Sequence, residues 1–392
     1  MGRRKTPAWV WQQVWWPQPL DPVVAWELIE RILADSHLGR VAFEARAALG
    51  RVNYLLGSSA RAAAPLREIM TSIIPGLRVR ERDDIVRGPV TISARLQISH
   101  PALALNVDRV TAVSRAVLAG LAIAKEKEDL MVLQVMIGAR RSPTFVSKDV
   151  PDPTQHWFDL VTRGTRVADS DVRASLKSRT NLHGGRVSVR MGASAASPAR
   201  TRLLLTSVLG GLRVAQASGV RISLRKEVPN RIAWASVPWR WPLRLSSKEL
   251  VEVLGWPLDS SGKWPLPGQP PIHPKVLSPT SELFATKEPF AESTAPGVDV
   301  QVGIGARDSL QHTWLLGPTA SGKSTAMLAM ILDAIRSGRG VLVIDPKSDL
   351  VNDVLSRVPE ERADDVVVID PTDPRPVGLN PLRGSSPHVG HG

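Results

Sequence analysis

Hydrophobic and polar positions follow two different periods along the chain, and these periods divide it into helix-forming and strand-forming stretches. Apolar residues that recur every three to four positions predict helices with one packed face, and these stretches are 21–36, 59–73, 108–125 and 197–217. Short apolar or alternating runs predict strands, and they are found at 40–45, 51–56, 77–79, 89–99, 129–139, 185–191 and 219–225. The mixture predicts two α+β domains of ferredoxin-like type, over residues 21–145 and 146–256.

The last quarter of the chain has a different pattern. Four-residue apolar runs at 313–316, 341–344 and 366–369 alternate with helical stretches at 324–337 and 348–357. Strands that alternate with helices at this spacing predict a parallel sheet with helices on both faces. Ligands bind such sheets beyond the carboxyl ends of the strands. The pattern therefore predicts an α/β domain whose functional site lies at those strand ends.

Segments of unusual composition flank the predicted domains. Residues 1–20 form a Trp-rich arm, which we expect to pack on its own domain; contact with a membrane interface or a partner is the alternative. Residues 257–297 contain nine prolines and predict an extended linker. The α/β domain then spans 298–382. The last residues, 383–392, predict a disordered tail, and their two histidines are not expected to form a metal site.

Positive charge is concentrated in one region of the chain. The 392 residues carry a formal net charge of +13, and residues 140–240 alone hold 18 Lys plus Arg against 6 Asp plus Glu. A basic region beside a nearly neutral remainder predicts a polyanionic partner, and nucleic acid is the commonest one. Because the chain has no cysteine and no run of eighteen apolar residues, we expect a cytoplasmic protein without a membrane-spanning segment.

One eight-residue stretch carries a recognisable chemistry. Residues 317–324 fit the pattern G-x-x-x-x-G-K-[ST], in which backbone N–H groups of a glycine-rich loop surround phosphate oxygens. The lysine of this pattern reaches the β- and γ-phosphates of ATP, and the hydroxyl residue holds Mg²⁺. The candidate ATP-binding residues are Gly317, Pro318, Thr319, Ala320, Ser321, Gly322, Lys323, Ser324 and Thr325. Lys323 is the candidate catalytic residue and Ser324 the candidate Mg²⁺ ligand; the alternative is a glycine-rich turn that fits the pattern by chance.

Four arginines of the basic region are candidates for contact with DNA. Side chains repeat every two residues along a strand, so Arg186, Arg190, Arg221 and Arg225 are predicted to share one face. Such a face would follow phosphates without sequence preference and with strong salt dependence. The alternative is an ordinary solvated surface, or pairing of these arginines with acidic neighbours in an oligomer.

Four motifs between residues 317 and 382 resemble a known family. GPTASGKS, GVLVIDPKSDL, VVVIDP and VGLNPL resemble the start of the motor domain in conjugative coupling ATPases of the TraG/TraD type, within the FtsK–HerA superfamily of DNA pumps. Those ATPases show a similar GPTGSGKS loop, a DPKG-type element and a later Asn-Pro-Leu. Outside this region, Trp-Trp-Pro near the N-terminus and the segments 240–244 and 245–257 resemble parts of actinobacterial conjugation ATPases.

The resemblance implies a RecA-like P-loop fold and a DNA-dependent ATPase. Such an ATPase, often a hexameric ring, moves DNA or a DNA–protein substrate toward a secretion channel. The implied partners are DNA, further copies of the chain and components of conjugation or type IV secretion, with recruitment to the inner face of the membrane. By matching position, Lys323 and Ser324 contact phosphate and Mg²⁺. Asp345, Lys347 and Asp370 are candidate Mg²⁺ or motor-element residues.

The chain departs from the family pattern at two points, of which the first is a small change and the second affects the expected activity. Ser348 stands where the DPKG-type element has glycine. The family's Walker B strand, with its acidic pair, lies downstream of Asn-Pro-Leu, and no equivalent precedes Gly392. Asp345 and Asp370 end apolar runs, but each is followed by proline and neither has a neighbouring glutamate that would serve as a base. The sequence therefore predicts the first part of a motor, which binds ATP and hydrolyses it poorly.

Two other classes of protein remain open at this point. The first is a non-hydrolysing DNA-binding or assembly subunit with a vestigial P-loop. The second is an unrelated P-loop enzyme, such as a transporter ATPase or a small-molecule kinase, although a kinase would have no need of the basic region.

Overall fold

The computed structural model describes residues 9–81, 87–155, 158, 161–162, 164–260, 262, 265–269, 289–292, 301–304 and 312–375. The chain divides into two units, which are described separately below: residues 1–275 and residues 276–392. The start of the predicted Trp-rich arm, most of the predicted linker and the whole predicted tail lie outside the described residues.

The first unit contains nine strands and seven helices in its described residues. The strands are β1 Val10–Trp15, β2 Val41–Ala48, β3 Arg51–Ser58, β4 Arg78–Glu81, β5 Ile92–Ile98, β6 Leu130–Arg141, β7 Gly184–Ser194, β8 Ile222–Glu227 and β9 Leu243–Ser246. The helices are α1 Pro22–Ala34, α2 Ala60–Ile73, α3 Val110–Ala122, α4 Ser170–Thr180, α5 Pro198–Arg213, α6 Asn230–Ala233 and α7 Ser247–Val253. The side chains of Asp21 and Ser197 cap α1 and α5, at the positions where the predicted helices 21–36 and 197–217 begin.

All nine strands belong to one antiparallel sheet. Its order is β4-β1-β3-β2-β6-β7-β5-β8, and β9 pairs with the start of β7. Strand β5 precedes the expected domain boundary at residue 145, yet it lies between β7 and β8, which follow that boundary. The two predicted α+β domains are therefore corrected to one. The long strands β6 and β7 pair along most of their length, which joins the two predicted cores.

The hydrophobic core lies on one face of this sheet. Every second residue of each central strand points into it, as Phe43, Val135 and Val189 do in β2, β6 and β7. Helices α1, α2, α3, α5 and α7 supply the other side of the core. Each large aliphatic side chain removed from water in this way contributes about 1.5–3 kcal/mol, so the core is the main source of stability for the first unit.

Two glycines allow helices α3 and α5 to approach closely. A Cβ on Gly120 would lie 2.7 Å from the Ser207 carbonyl oxygen, and a Cβ on Gly211 would lie 2.6 Å from the Val117 nitrogen. Both contacts are with backbone atoms, which cannot move aside independently. The helix pair therefore depends on the absence of a side chain at these positions.

The second unit has only short elements in its described residues. Strands β10 Ala291–Glu292 and β11 Gln301–Val302 form a two-stranded sheet, and the helices are α8 Lys323–Arg336 and α9 Asp349–Leu355. Both helices were predicted from the sequence. Leu332 and Val354 are the buried apolar side chains of the described part of this unit.

The three predicted parallel strands have no regular secondary structure in the described residues. Segments 313–316, 341–345 and 366–370 have no strand partner there, and apolar side chains in them are exposed: Trp314 by 85%, Leu342 by 86% and Val367 by 84%. The parallel sheet expected from the pattern is thus not formed among these residues. No helix in the described parts of either unit is long and apolar enough to span a bilayer.

Candidate phosphate-binding loop and arginine face

The loop at 317–322 contains two residues in the left-handed backbone region. Ala320 has φ 63° and Gly322 has φ 86°. Glycine adopts this conformation without strain, whereas an L-residue pays about 1–2 kcal/mol. The resembling GPTGSGKS loop has glycine where this chain has Ala320, and the positive φ supplies the physical reason for that glycine. Alternation of left-handed and right-handed residues turns successive N–H groups toward one concavity, which suits an anion.

Gly317 and Lys323 close the two ends of the loop onto each other. A Cβ on Gly317 would lie 2.5 Å from the Ser321 Oγ, so a larger residue there would force the Ser321 side chain to move. The Lys323 ammonium donates hydrogen bonds to the carbonyl oxygens of Gly317 and Pro318, at 2.7 and 2.8 Å. These two bonds hold the Lys323 ammonium over the loop.

Helix α8 begins directly at this loop. Its first backbone hydrogen bond joins the Ala326 N–H to the Gly322 carbonyl at 2.9 Å. The N–H groups of the three residues between them, Lys323, Ser324 and Thr325, have no partner within the helix because they precede this bond. Together with the helix dipole they favour an anion. Ser324, the candidate Mg²⁺ ligand, lies on this first turn and is exposed.

Asp345 has a structural partner that the sequence did not reveal. Its carboxylate accepts hydrogen bonds from the Lys347 N–H at 3.0 Å and from the Leu350 N–H at 2.9 Å, which fixes the turn before α9. These bonds to the Lys347 and Leu350 backbone lower the pKa of Asp345 below its usual range. Ser348 in this turn has φ 65°, which explains why the resembling element has glycine there.

Asp370 forms the same kind of turn directly after the segment 366–369. It accepts hydrogen bonds from the Thr372 N–H at 2.8 Å and the Thr372 hydroxyl at 2.7 Å, and these bonds lower its pKa. In both cases the carboxylate binds the residue after a proline, as turn-forming aspartates do. Asp345, Lys347 and Asp370 thus organise turns in the structure, and neither carboxylate is free of protein partners.

The four candidate DNA-contact arginines divide into exposed and buried positions. Arg186, Arg221 and Arg225 are exposed, with Arg186 directly opposite Arg244 of β9. Arg190 is different because its side chain is only 1% exposed. The prediction that Arg190 contacts DNA is therefore corrected. Sequence reasoning missed the strand register, which places Arg190 in the middle of the sheet face opposite the core.

Arg190 belongs to a polar row that crosses five strands on the face opposite the core. Register pairs Glu44 with Gln134, Gln134 with Arg190, Arg190 with Arg95, and Arg95 with Arg225. The Arg190 Nη1 donates to the Gln134 Oε1 at 3.2 Å, and its Nε lies 3.7 Å from the Glu227 Oε2. Burial lowers the pKa of Arg190 to about 10, so the guanidinium remains charged at neutral pH.

Glu44 anchors the other end of this row. Its carboxylate accepts hydrogen bonds from Arg46 at 3.0 Å, from Arg87 at 2.5 and 3.1 Å, and from Gln134 at 2.8 Å. Burial raises the pKa of Glu44, but the hydrogen bonds and charges of Arg87 and Arg46 outweigh burial and hold it below its usual value. The Arg87 guanidinium also stacks on the Trp11 ring, 3.9 Å from its centroid.

Helix α6 covers this polar cluster from the solvent side. Its Ile232 carbonyl accepts hydrogen bonds from Arg87 and Gln134, at 2.8 and 3.1 Å, and its Ile232 side chain packs on Val90 and Val132. The buried polar residues therefore stabilise the fold. The exposed arginines, with half-buried Arg95, are the part of this face that is available to a polyanion.

The second unit thus contains a loop and a helix N-terminus of the class that binds phosphate groups. Residues 280–384, which lie within this unit, match the model of a family described as "Type IV secretory system Conjugative DNA transfer". A comparison of the whole chain with curated proteins gives no match. The family match supports a role in type IV conjugative DNA transfer and agrees with the resemblance at that level; the narrower TraG/TraD and actinobacterial assignments stay predictions.

Proposed function

We propose that the chain is an ATP-binding component of a DNA-translocating motor in conjugative transfer. The observation that carries the proposal is the closed loop at 317–322, with Lys323 held over it at the start of α8. In this proposal backbone N–H groups of the loop and Lys323 bind the β- and γ-phosphates, and Ser324 binds Mg²⁺. Bound Mg²⁺ would neutralise phosphate charge.

The proposal also includes a RecA-like parallel sheet in the second unit. The segments 313–316, 341–345 and 366–370 have the composition of buried strands and expose large apolar side chains in the described residues. Apolar segments of this kind are stable when neighbouring strands and helices cover them. We infer that they become strands of one sheet in the assembled motor, which we expect to be a homo-oligomer such as a hexamer.

DNA is the proposed substrate of this motor. The family match supports a role in DNA transfer, and the exposed arginines of the first unit, including Arg186, Arg221 and Arg225, offer phosphate contacts without base recognition. In this proposal the binding of DNA is independent of its sequence and weakens steeply with salt.

A non-hydrolysing DNA-binding or assembly subunit is the second candidate function. It is favoured by the hydrogen bonds that commit Asp345 and Asp370 to local turns. Phosphoryl transfer depends on metal, water and charged groups being positioned together, and the local turns already engage both carboxylate oxygens of Asp345 and one of Asp370. In this second candidate the chain binds ATP without appreciable turnover.

Thermal unfolding with and without Mg-ATP tests the nucleotide site. A ligand present at 100 times its Kd stabilises the folded state by about 2.7 kcal/mol. The full chain should show this shift, Lys323→Ala should lose it, and the matched control Lys127→Ala, an exposed lysine between α3 and β6 of the first unit, should keep it. An unchanged shift in Lys323→Ala would remove the loop from the proposal. ATP turnover measured on the same samples separates the two candidates, because brisk DNA-stimulated hydrolysis would exclude the non-hydrolysing subunit.

A further inference from the structure

A cavity opens at one end of the sheet in the first unit. Its volume is about 570 Å³, which lies in the range of small-molecule sites. The starts of β1 and β2 and the ends of β3 and β6 surround it. The lining residues are Trp9, Ser36, Gly39, Arg40, Ser59, Gly138, Ala139 and Arg140.

Arg140 is fixed in the wall of this cavity with one donor unused. Its Nε donates to the Ile32 carbonyl at 2.8 Å, and its Nη1 donates to the Gly39 carbonyl at 2.5 Å. The enclosed Nη2 has no hydrogen-bond partner among the described residues. The two bonds hold the Arg140 guanidinium in the cavity wall, where an anion in the cavity would pair with its charge.

Two further features of the cavity favour an anion. Arg40 is exposed and adds a second guanidinium to the lining. Helix α2 begins there: Ser59 is its N-cap residue, the Ser59 side chain makes no capping hydrogen bond, and the first backbone bonds run from Ala62 and Ala63 to the Ser59 carbonyl. The earlier N–H groups of α2 and the Ser59 hydroxyl therefore remain as donors.

The nearest acidic charge to Arg140 is already engaged. Asp35 raises the pKa of Arg140, although burial has the larger, opposite effect. The Asp35 carboxylate also accepts hydrogen bonds from Arg31 at 3.4 Å and from the His37 N–H at 2.9 Å. With Arg31 and Asp35 paired, the charges of Arg40 and Arg140 give the cavity a net positive charge.

The wall also contains a fixed aromatic ring. The Trp9 indole N–H donates to the Ala235 carbonyl at 3.1 Å, which holds one edge of the ring in place. Trp9 is half-buried and lies 6.0 Å from Trp11, centroid to centroid. A second indole, that of Trp241, packs against Gly138 on the same rim. Indole rings stack on nucleobases, and this stacking is tolerant of base identity.

We propose that this cavity binds a nucleotide, with its phosphate between Arg40, Arg140 and the start of α2, and its base against Trp9. This chemistry has two sources, a free mononucleotide and a nucleotide within single-stranded DNA. The choice of DNA as a source rests on the proposed function, whereas the anion and aromatic chemistry of the cavity does not. The site is separate in sequence from the loop at 317–322 and would give the first unit its own nucleotide contact.

Binding of a fluorescent dT20 oligonucleotide and of unlabelled dTMP to the full chain tests the proposal. All variants carry Lys323→Ala, so that the phosphate loop does not contribute. Arg40→Gln should weaken both ligands about tenfold, as expected for loss of a charge-assisted contact. Arg51→Gln, the same change at an exposed position of β3, is the matched control and should leave both affinities within about twofold. Trp9→Ala should weaken both ligands but leave competition by inorganic phosphate unchanged.

The outcomes separate this inference from the proposed function. If dT20 binds the parent protein, and Arg40→Gln and Arg51→Gln lower its affinity equally, the cavity is not the site that contacts DNA. DNA binding by the chain would still stand. If dTMP binds with the Arg40 dependence and dT20 does not, the cavity is supported and DNA as its ligand is excluded. If neither ligand binds the parent protein, the inference fails. Photo-crosslinking of iodinated dT20 should map to the peptide containing Trp9, and a crosslink elsewhere would contradict the assignment.

Discussion

The two units of the chain differ in what holds their residues in place. Residues 1–275 carry a formal charge of +18, and residues 276–392 carry −5. In the first unit hydrogen bonds join residues far apart in sequence, such as Trp9 and Ala235. In the described part of the second unit, the side-chain bonds mostly join residues within one turn, as Asp345 and Lys347 do, with Arg362 to Ile335 as the longest link.

This difference shows where the geometry of each unit depends on long-range packing and where it depends on local bonds. The first unit buries a continuous core and a polar cluster, so its geometry follows from its own long-range packing. The described second unit has helices and turns set by local bonds, while its strand-like segments expose their apolar side chains. The loop at 317–322 is accordingly a local motif, which forms from its own sequence.

The largest expected effect is the removal of Glu44 from the polar cluster of the first unit. Glu44→Ala leaves Arg46 and Arg87 buried without their carboxylate, and breaking a buried pair in this way costs about 3–5 kcal/mol. Urea unfolding followed by tryptophan fluorescence measures the change, since the Trp16 and Trp256 rings are buried 4.3 Å apart in the same core.

The matched change in the second unit should have little effect. Asp353→Asn removes the exposed Asp353–Arg357 pair at 2.9 Å, and such surface pairs contribute at most about 1 kcal/mol. Equal losses in Glu44→Ala and Asp353→Asn would contradict the contrast between the two units.

A smaller effect is expected at the contact between α3 and α5. Gly211→Ala places a Cβ against the backbone of Val117, so the helices must separate, at a cost of about 1–3 kcal/mol. The neighbouring Gly210→Ala is the control, because a Cβ there meets nothing within 4 Å. It should stabilise the helix by about 0.5–1 kcal/mol. The midpoint temperature of thermal unfolding should therefore fall in Gly211→Ala and rise in Gly210→Ala. A shift in the same direction for both variants would contradict the close approach of the two helices.

The smallest effect concerns the turn before α9 in the second unit. Asp345→Ala removes the acceptor for the Lys347 and Leu350 N–H groups. Amide hydrogen exchange in the peptide 349–355 should become roughly three- to tenfold faster, because the start of the helix loses its partner. Asp370→Ala is the control, since no helix follows its turn in the described residues. Equal acceleration by both variants would show that Asp345 does not support α9.

Local features were predictable from the sequence because local chemistry determines them. The caps at Asp21 and Ser197, the helices α8 and α9 and the alternation along β7 all follow from residues near in sequence. The turns of Asp345 and Asp370 were not predicted, although aspartate before proline is a turn signal that could have indicated them. Ser348, noted as a small departure from the family pattern, proved to occupy a left-handed position.

Features that depend on distant partners were not predictable in the same way. The sequence does not distinguish Arg190 from other strand arginines, because only the strand register places it between Gln134 and Arg95. Arg87 reaches Glu44 across 43 positions, and no periodicity connects the two. The cavity beside Arg140 requires the ends of four strands to meet, which a single sequence does not specify.

The interleaved strand order has a consequence for the continuity of the first unit. Strand β5 comes from the part of the chain before residue 142, but its neighbours β7 and β8 both come from the part after it. A protease cut in the connection at 142–169 would therefore leave two fragments whose strands alternate within one sheet. They would stay together as a noncovalent complex, and neither fragment alone would have a complete sheet on which to refold.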